Sequence, residues 1–211
     1  MIKTKLSILL ILTLALFTSP KNLRAQEFKL GLQVIPASNW FTTNSDNATT
    51  GGKFLFGFGM VADYFFSERY AFSSGINYAT RGGSINLSDT LGEYKISMIE
   101  IPAYFKLKTA QFDRMSYYAK FGGTFTFRTK ETVNLNPEPL DADLPDHFFT
   151  PAQVNFLVGA GAEYAIDGGS AVFFGIDYMI GLSDALQESQ WVGKRDNFRL
   201  QSIVFNLGFM F

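Results

Sequence analysis

Phe54-Leu55-Phe56-Gly57-Phe58-Gly59-Met60-Val61-Ala62-Asp63-Tyr64 is the stretch that decides the fold class. Its even positions carry Phe54, Phe56, Phe58, Met60, Ala62 and Tyr64, and its odd positions carry Leu55, Gly57, Gly59, Val61 and Asp63. Successive side chains point to opposite faces only in an extended strand, whereas a helix would spread these two sets around its axis. The stretch therefore predicts a strand with one large apolar face and one small or polar face.

The same period recurs along the chain. Phe72, Ile76 and Tyr78 oppose Ser73, Gly75, Asn77 and Arg81, and Ile99, Ile101, Ala103, Phe105 and Leu107 oppose Glu100, Pro102, Tyr104 and Lys106. Tyr117, Ala119, Phe121, Phe125 and Phe127 alternate with Tyr118, Lys120, Gly122, Thr124 and Arg128. Val154, Phe156, Val158, Ala160 and Tyr164 face away from Asn155, Gly159, Gly161 and Glu163, and Val172, Phe174, Ile176, Tyr178 and Ile180 away from Gly175 and Asp177. Ile203, Phe205, Leu207, Phe209 and Phe211 close the chain against Ser202, Asn206 and Gly208. A less regular strand near Phe28 to Thr42 brings the expected number to eight.

Short links at Ser67 to Arg69, Thr109 to Met115 and Asp167 to Ser170 alternate with longer ones at Thr43 to Gly52, Gly82 to Glu93, Glu131 to Pro151 and Asp184 to Asn197. That asymmetry is expected of an eight-stranded antiparallel transmembrane β-barrel, with short periplasmic turns on one rim and longer extracellular loops on the other.

A soluble lipocalin-like carrier would alternate equally well, so the two faces must decide which side is wet. A soluble barrel turns a charged face to water, but the non-apolar face here is mostly Gly, Ser, Asn and Thr. Small residues suit the lumen of an eight-stranded barrel, which is just wide enough to be filled by side chains. Four acids (Asp63, Glu100, Glu163, Asp177) and four bases (Arg81, Lys106, Lys120, Arg128) lie on that face, a balanced set expected to form an ion-pair network. Arg81 and Glu100 fall on neighbouring strands, as a structural pair or as the constriction of a narrow solute path. Trp40, Phe41, Tyr78, Tyr94, Phe125 and Phe127 are expected as an outer aromatic girdle, and Tyr64, Phe66, Tyr70, Tyr117 and Tyr164 as an inner one.

The N-terminus reads as a cleaved signal peptide over residues 1–25, with Lys3 and Lys5, the apolar run Leu6 to Phe17, and Leu23-Arg24-Ala25 before Gln26. Residues 26–211 then form one barrel domain. Cleavage removes Lys3, Lys5, Lys21 and Arg24 and no acid, leaving 14 basic against 19 acidic residues, a net charge of -5. No clustered basic face invites a nucleic acid. Cysteine is absent, which removes disulfides, thiolate nucleophiles and thiolate metal sites. His147 is the only histidine and has no evident nucleophile, so no catalytic residue, cofactor or metal is expected. Asp141, Asp143 and Asp146 beside it lack the glycine turn and spacing of a calcium loop and read as a solvated acidic loop.

The chain also resembles the PorT-like outer-membrane β-barrel family of the Bacteroidota, similar in architecture to OmpX and the OmpA membrane domain. The resemblance rests on Ala25-Gln26, on Ile99-Glu100-Ile101-Pro102-Ala103-Tyr104-Phe105-Lys106, and on Gly159-Ala160-Gly161-Ala162-Glu163-Tyr164. Tyr178, Gly181-Leu182-Ser183 and Leu207-Gly208-Phe209-Met210-Phe211 complete it, over essentially the whole mature chain. It implies an outer-membrane barrel, in some relatives porin-like and in the founding member engaged in secretion, and it transfers no catalytic residue. The expected partners are outer-membrane lipid, the barrel-assembly machinery during insertion, and secretion or envelope proteins. The terminal aromatic Phe211 is the expected assembly signal. A structural or interaction role is the leading reading, and a small-solute channel is the alternative.

Overall fold

The computed structural model describes residues 27–44, 48–87, 90–136, 149–166, 169–185 and 198–211. The signal peptide and the loop bearing Asp141, Asp143, Asp146 and His147 lie outside the described residues. Among the described residues ten strands occur in chain order: β1 (Glu27–Val34), β2 (Ala37–Thr43), β3 (Ala48–Leu55), β4 (Gly57–Ser67), β5 (Tyr70–Leu87), β6 (Thr90–Lys108), β7 (Met115–Asn136), β8 (Ala152–Ala165), β9 (Ala171–Gly181) and β10 (Phe198–Met210). All pair antiparallel, and the ladder β1–β4–β5–β6–β7–β8–β9–β10 returns to β1 through Gly31↔Met210 to Val34↔Leu207.

The ring has eight staves because β1 with β2, and β3 with β4, are halves of two long strands. The first is interrupted at Ile35-Pro36, where proline has no N–H for the ladder. The second is interrupted at Phe56, with Ile35 N donating to Gly57 O (2.8 Å) and Gly57 N to Ile35 O (3.0 Å) across the break. Between Gly52↔Gly83 and Gly57↔Ala79 the second stave carries one residue more than β5, an extra residue of the kind that bends a barrel wall.

Period two delivers two surfaces. Phe54, Phe56, Phe58, Ile76, Phe121, Phe125, Phe174, Ile176 and Leu207 are all well exposed on the outside, an apolar area far beyond what a water-facing monomer carries. The opposite parity is buried, including eighteen polar or charged residues among the described ones. The short turns gather at the rim that also holds Glu27 and Phe211. One of them is a two-residue hairpin in which Phe112 and Met115 exchange backbone bonds of 2.8 and 2.9 Å around Asp113, at φ 55°. Asp tolerates this left-handed conformation better than most residues.

The expected long links are shorter than the sequence suggests. β5 is 18, β6 is 19 and β7 is 22 residues long, against about 9–11 needed to cross a bilayer. The strands run on through Gly82–Leu87, Thr90–Glu93 and Glu131–Asn136, where the sequence predicts loops. Beyond the lipid the outward face turns polar, so the alternation that marks a membrane strand fades. The inward residues Ile85, Tyr94, Ile96 and Met98 stay apolar and bury a core there.

Candidate functional site

The lumen is the candidate site. At the periplasmic end Val61, Tyr118, Ala171, Phe173 and Met210 pack together. Lys106 lies against them, over the Tyr118 ring at 4.5 Å, and bridges Asp63 (2.6 Å) and Glu163 (2.5 Å). Ser73 donates a further hydrogen bond to Asp63, and Lys108 pairs with Glu163 at 2.5 Å. Lys120 stands beside Lys106 on the next strand but turns the other way, to Asp177 at 2.8 Å, which also accepts from Asn206 at 2.7 Å. Arg81 lies nearer the outer mouth and reaches back to grip Glu100, with Nε at 2.8 Å and Nη2 at 3.1 Å from the two carboxylate oxygens.

Glycines make room for these pairs. Lys120, Gly159 and Asp177 occupy one row across β7, β8 and β9, and a Cβ on Gly159 would collide with the Asp177 carboxylate. In the same way Gln33 donates to Asn77 at 2.9 Å across Gly59, and the Tyr118 ring lies over Gly161 and Gly175. Inward glycines are thus notches over which a long side chain reaches its partner two strands away.

Seven of the eight residues read from the sequence as lumenal charges are almost fully buried: Asp63, Arg81, Glu100, Lys106, Lys120, Glu163 and Asp177. Arg128 stands apart at the outer mouth, paired with Glu131 at 2.6 Å. Glu131 and Lys108 were not among the expected residues. Glu131 sits beyond the bulge at Ser97/Met98, where β6 and β7 shift register, and Lys108 ends its strand. Two of the aromatics expected in the outer girdle, Phe41 and Tyr94, point inward instead, at 0 % and 8 % exposure. Phe41 keeps the parity of Ile35, Ala37 and Asn39, and Tyr94 that of Ile96, Met98 and Glu100, so continuing each strand's alternation would have placed them. With Phe149 they form an aromatic plug, at centroid distances of 6.0 Å (Phe41–Phe149), 5.6 Å (Tyr94–Phe149) and 6.2 Å (Phe41–Tyr94). Phe149 N donates to Glu131 at 3.3 Å, and Ile96, Met98, Phe198 and Leu200 complete the seal. Burial among these groups pushes the Tyr94 phenol up.

Two small cavities lie between these groups among the described residues. One cavity of about 20 Å³ is lined by Arg81, Glu100, Lys120, Thr124 and Asp177, and a second of about 10 Å³ lies between Lys106, Tyr118 and Phe173. A single water needs roughly 10–15 Å³ of such space. Arg81 Nη1, Thr124 Oγ1 and Asp177 Oδ1 are buried beside the larger one with no hydrogen-bond partner among the described residues, which suits a water-sized guest. Among the described residues no group of three or more His, Cys, Asp or Glu is arranged to hold a metal ion.

A closed antiparallel wall, an apolar outside and a polar inside define a transmembrane β-barrel, the one sheet architecture that leaves no edge unpaired in lipid. The chain belongs to the outer membrane protein beta-barrel domain family, which matches residues 20–187. Among solved structures it is similar to OprG from Pseudomonas aeruginosa, at 12% identity and TM-score 0.55 over 88% of this chain and 95% of that one. It is also similar to Neisserial surface protein A (14% identity, TM-score 0.49, 87% and 95% covered) and to Ail of Yersinia pestis (11%, 0.42, 88% and 99%). At 12% identity the likeness to OprG is one of fold. No curated protein matches the chain in sequence. The protein is an outer-membrane barrel, which sets aside the soluble carrier that alternation alone allowed.

Proposed function

We propose that this barrel is closed to solutes and acts through its surfaces, as a structural or interaction protein of the outer membrane. The observation that carries the reading is the occupied axis: among the described residues three groups of ion pairs and an aromatic plug lie along it, and the cavities beside the ion pairs hold about 20 and 10 Å³. A partnership in secretion or envelope assembly is the specific form suggested by the PorT-like resemblance, with the extended β5–β7 sheet and the periplasmic rim as contact surfaces. Two measurements test it. In planar bilayers the purified protein is expected to give no unitary conductance steps, and discrete steps would overturn the closed reading. Affinity purification from outer membranes in mild detergent is expected to bring down a stoichiometric envelope protein, and recovery of the barrel alone would defeat the interaction role.

The small-solute channel is the second reading, favoured by the stacking of charged pairs along one axis. Under it Arg81–Glu100 is the constriction, and the double variant R81A/E100A, which shortens both side chains, opens a path. A variant that folds and stays silent argues against it.

Phe211 we read as the assembly signal. It is exposed on the lipid side, stacks on Phe209 at 6.4 Å, and exchanges backbone bonds with Leu30 of 3.2 and 2.8 Å. Deleting it should lower the outer-membrane level several-fold while the protein refolded in detergent loses only the roughly 1–2 kcal/mol of two backbone bonds. A normal outer-membrane level of the truncated chain rules the signal out.

A further inference from the structure

The bulge at Ser97/Met98 marks a chemical boundary on the outside of the barrel. Below it the outward residues of β6 and β7 are Ile99 beside Phe127 and Ile101 beside Phe125, all lipid-facing. Above it they are Lys95 and Glu93 on β6, and Lys130, Thr132 and Asn134 on β7. Lys95 pairs across the strands with Thr132, and Ser97 with Lys130, so the two lysines are diagonal neighbours on one exposed face. Diagonal positions lie about 7–8 Å apart, within joint reach of one group for side chains as long as lysine. Lys130 has no carboxylate partner among the described residues. Glu93, the one carboxylate on this face of β6 and β7 among the described residues, is held by Lys53 at 2.7 Å, which keeps it below the usual carboxylate range. Lys95 and Lys130 thus stand directly above the lipid-facing residues of β6 and β7, at headgroup height on the external side.

We propose that Lys95 and Lys130, with the Thr132 hydroxyl, bind the phosphate of an anionic glycolipid headgroup in the outer leaflet. Two ammonium groups at the end of an apolar wall match a molecule with a phosphorylated headgroup above acyl chains, which a free phosphate in water does not offer. Arg199 also faces outward at this rim, but on β10, across the ring from β6 and β7, and serves as the internal control.

The test uses the full barrel in phosphatidylcholine nanodiscs doped with diphosphorylated lipid A, or with the same glycolipid dephosphorylated, and counts retained glycolipid by native mass spectrometry. One basic residue at an anionic surface contributes about a five-fold preference. The wild-type protein is expected to retain the diphosphorylated form preferentially, K95Q/K130Q about twenty-fold less, K95R/K130R near the wild-type level, and R199Q unchanged. Heat-modifiable migration on gels confirms that each variant is folded. Equal retention of both glycolipids, an unaltered K95Q/K130Q, or an equal loss in R199Q would overturn the site. The last outcome would replace it with the diffuse field of the rim.

Discussion

Arg81→Met is expected to destabilise the barrel by about 3–5 kcal/mol, and adding Glu100→Leu to restore most of that loss. Arg81 is 1 % and Glu100 3 % exposed, and the two are joined by parallel hydrogen bonds of 2.8 and 3.1 Å. Removing the guanidinium leaves a buried carboxylate with, among the described residues, no second cation paired to it, since Lys120 is engaged by Asp177 and Lys106 by Asp63 and Glu163. A buried charge without its partner bears the full cost of desolvation, whereas replacing both charges by apolar groups of similar shape removes that cost along with the attraction. The lining above the pair is already apolar, through Ile96 and Met98, so the double variant has neighbours to pack against. Urea titration of the protein folded in phosphatidylcholine bilayers, followed by the fluorescence of Trp40 where it stacks on Tyr178, gives the three stabilities. A single variant costing less than about 1 kcal/mol, or a double variant as unstable as the single, would mean that the pair is hydrated and contributes little.

This pair was legible in the sequence because both facts that define it are local. Arg81 and Glu100 each hold the small-residue parity of a strand, and consecutive strands of an up-and-down barrel are neighbours. The same reasoning put Asp63, Lys106, Lys120, Glu163 and Asp177 on the lumenal face, where they are buried. It did not say which base would take which acid. That depends on rows that run around the ring, such as Lys120–Gly159–Asp177, and the rows depend on stagger, which no single strand encodes. The aromatic plug was missed for a different reason. Phe41 and Tyr94 look like girdle residues by type and by place along the chain, and only their parity separates them from true girdle residues such as Tyr78. Phe149 follows a stretch without periodicity, so nothing in its surroundings pointed into the barrel. The outer extensions of β5, β6 and β7 escaped because water, not lipid, bathes their outward face, and polar side chains there erase the alternation on which a strand is recognised.

Ile176→Arg is the substitution that tests the two-faced wall most directly, with an expected cost of about 2–4 kcal/mol. Ile176 lies midway along β9, faces outward, and is flanked by Ala160 on β8 and Phe205 on β10, so a guanidinium there meets acyl chains at the depth where water is least available. One residue on, Asp177 carries a charge at nearly the same depth, but it faces inward, where Lys120 and Asn206 both meet its Oδ2. The difference between the two positions is parity alone, so the sign of the effect reports which face each presents. Depth supplies the second arm. Gln201→Arg, on the outward rim beside Tyr178 and one alternation from the native Arg199, should cost no more than about 1 kcal/mol, because an arginine at the interface can extend into the headgroups. Stabilities of I176R and Q201R measured in the same bilayers should therefore differ by roughly 1–4 kcal/mol. Equal costs would mean that the belt between Val172 and Ile180 is not centred in the hydrocarbon, and the barrel would then have to be moved along its axis relative to the membrane.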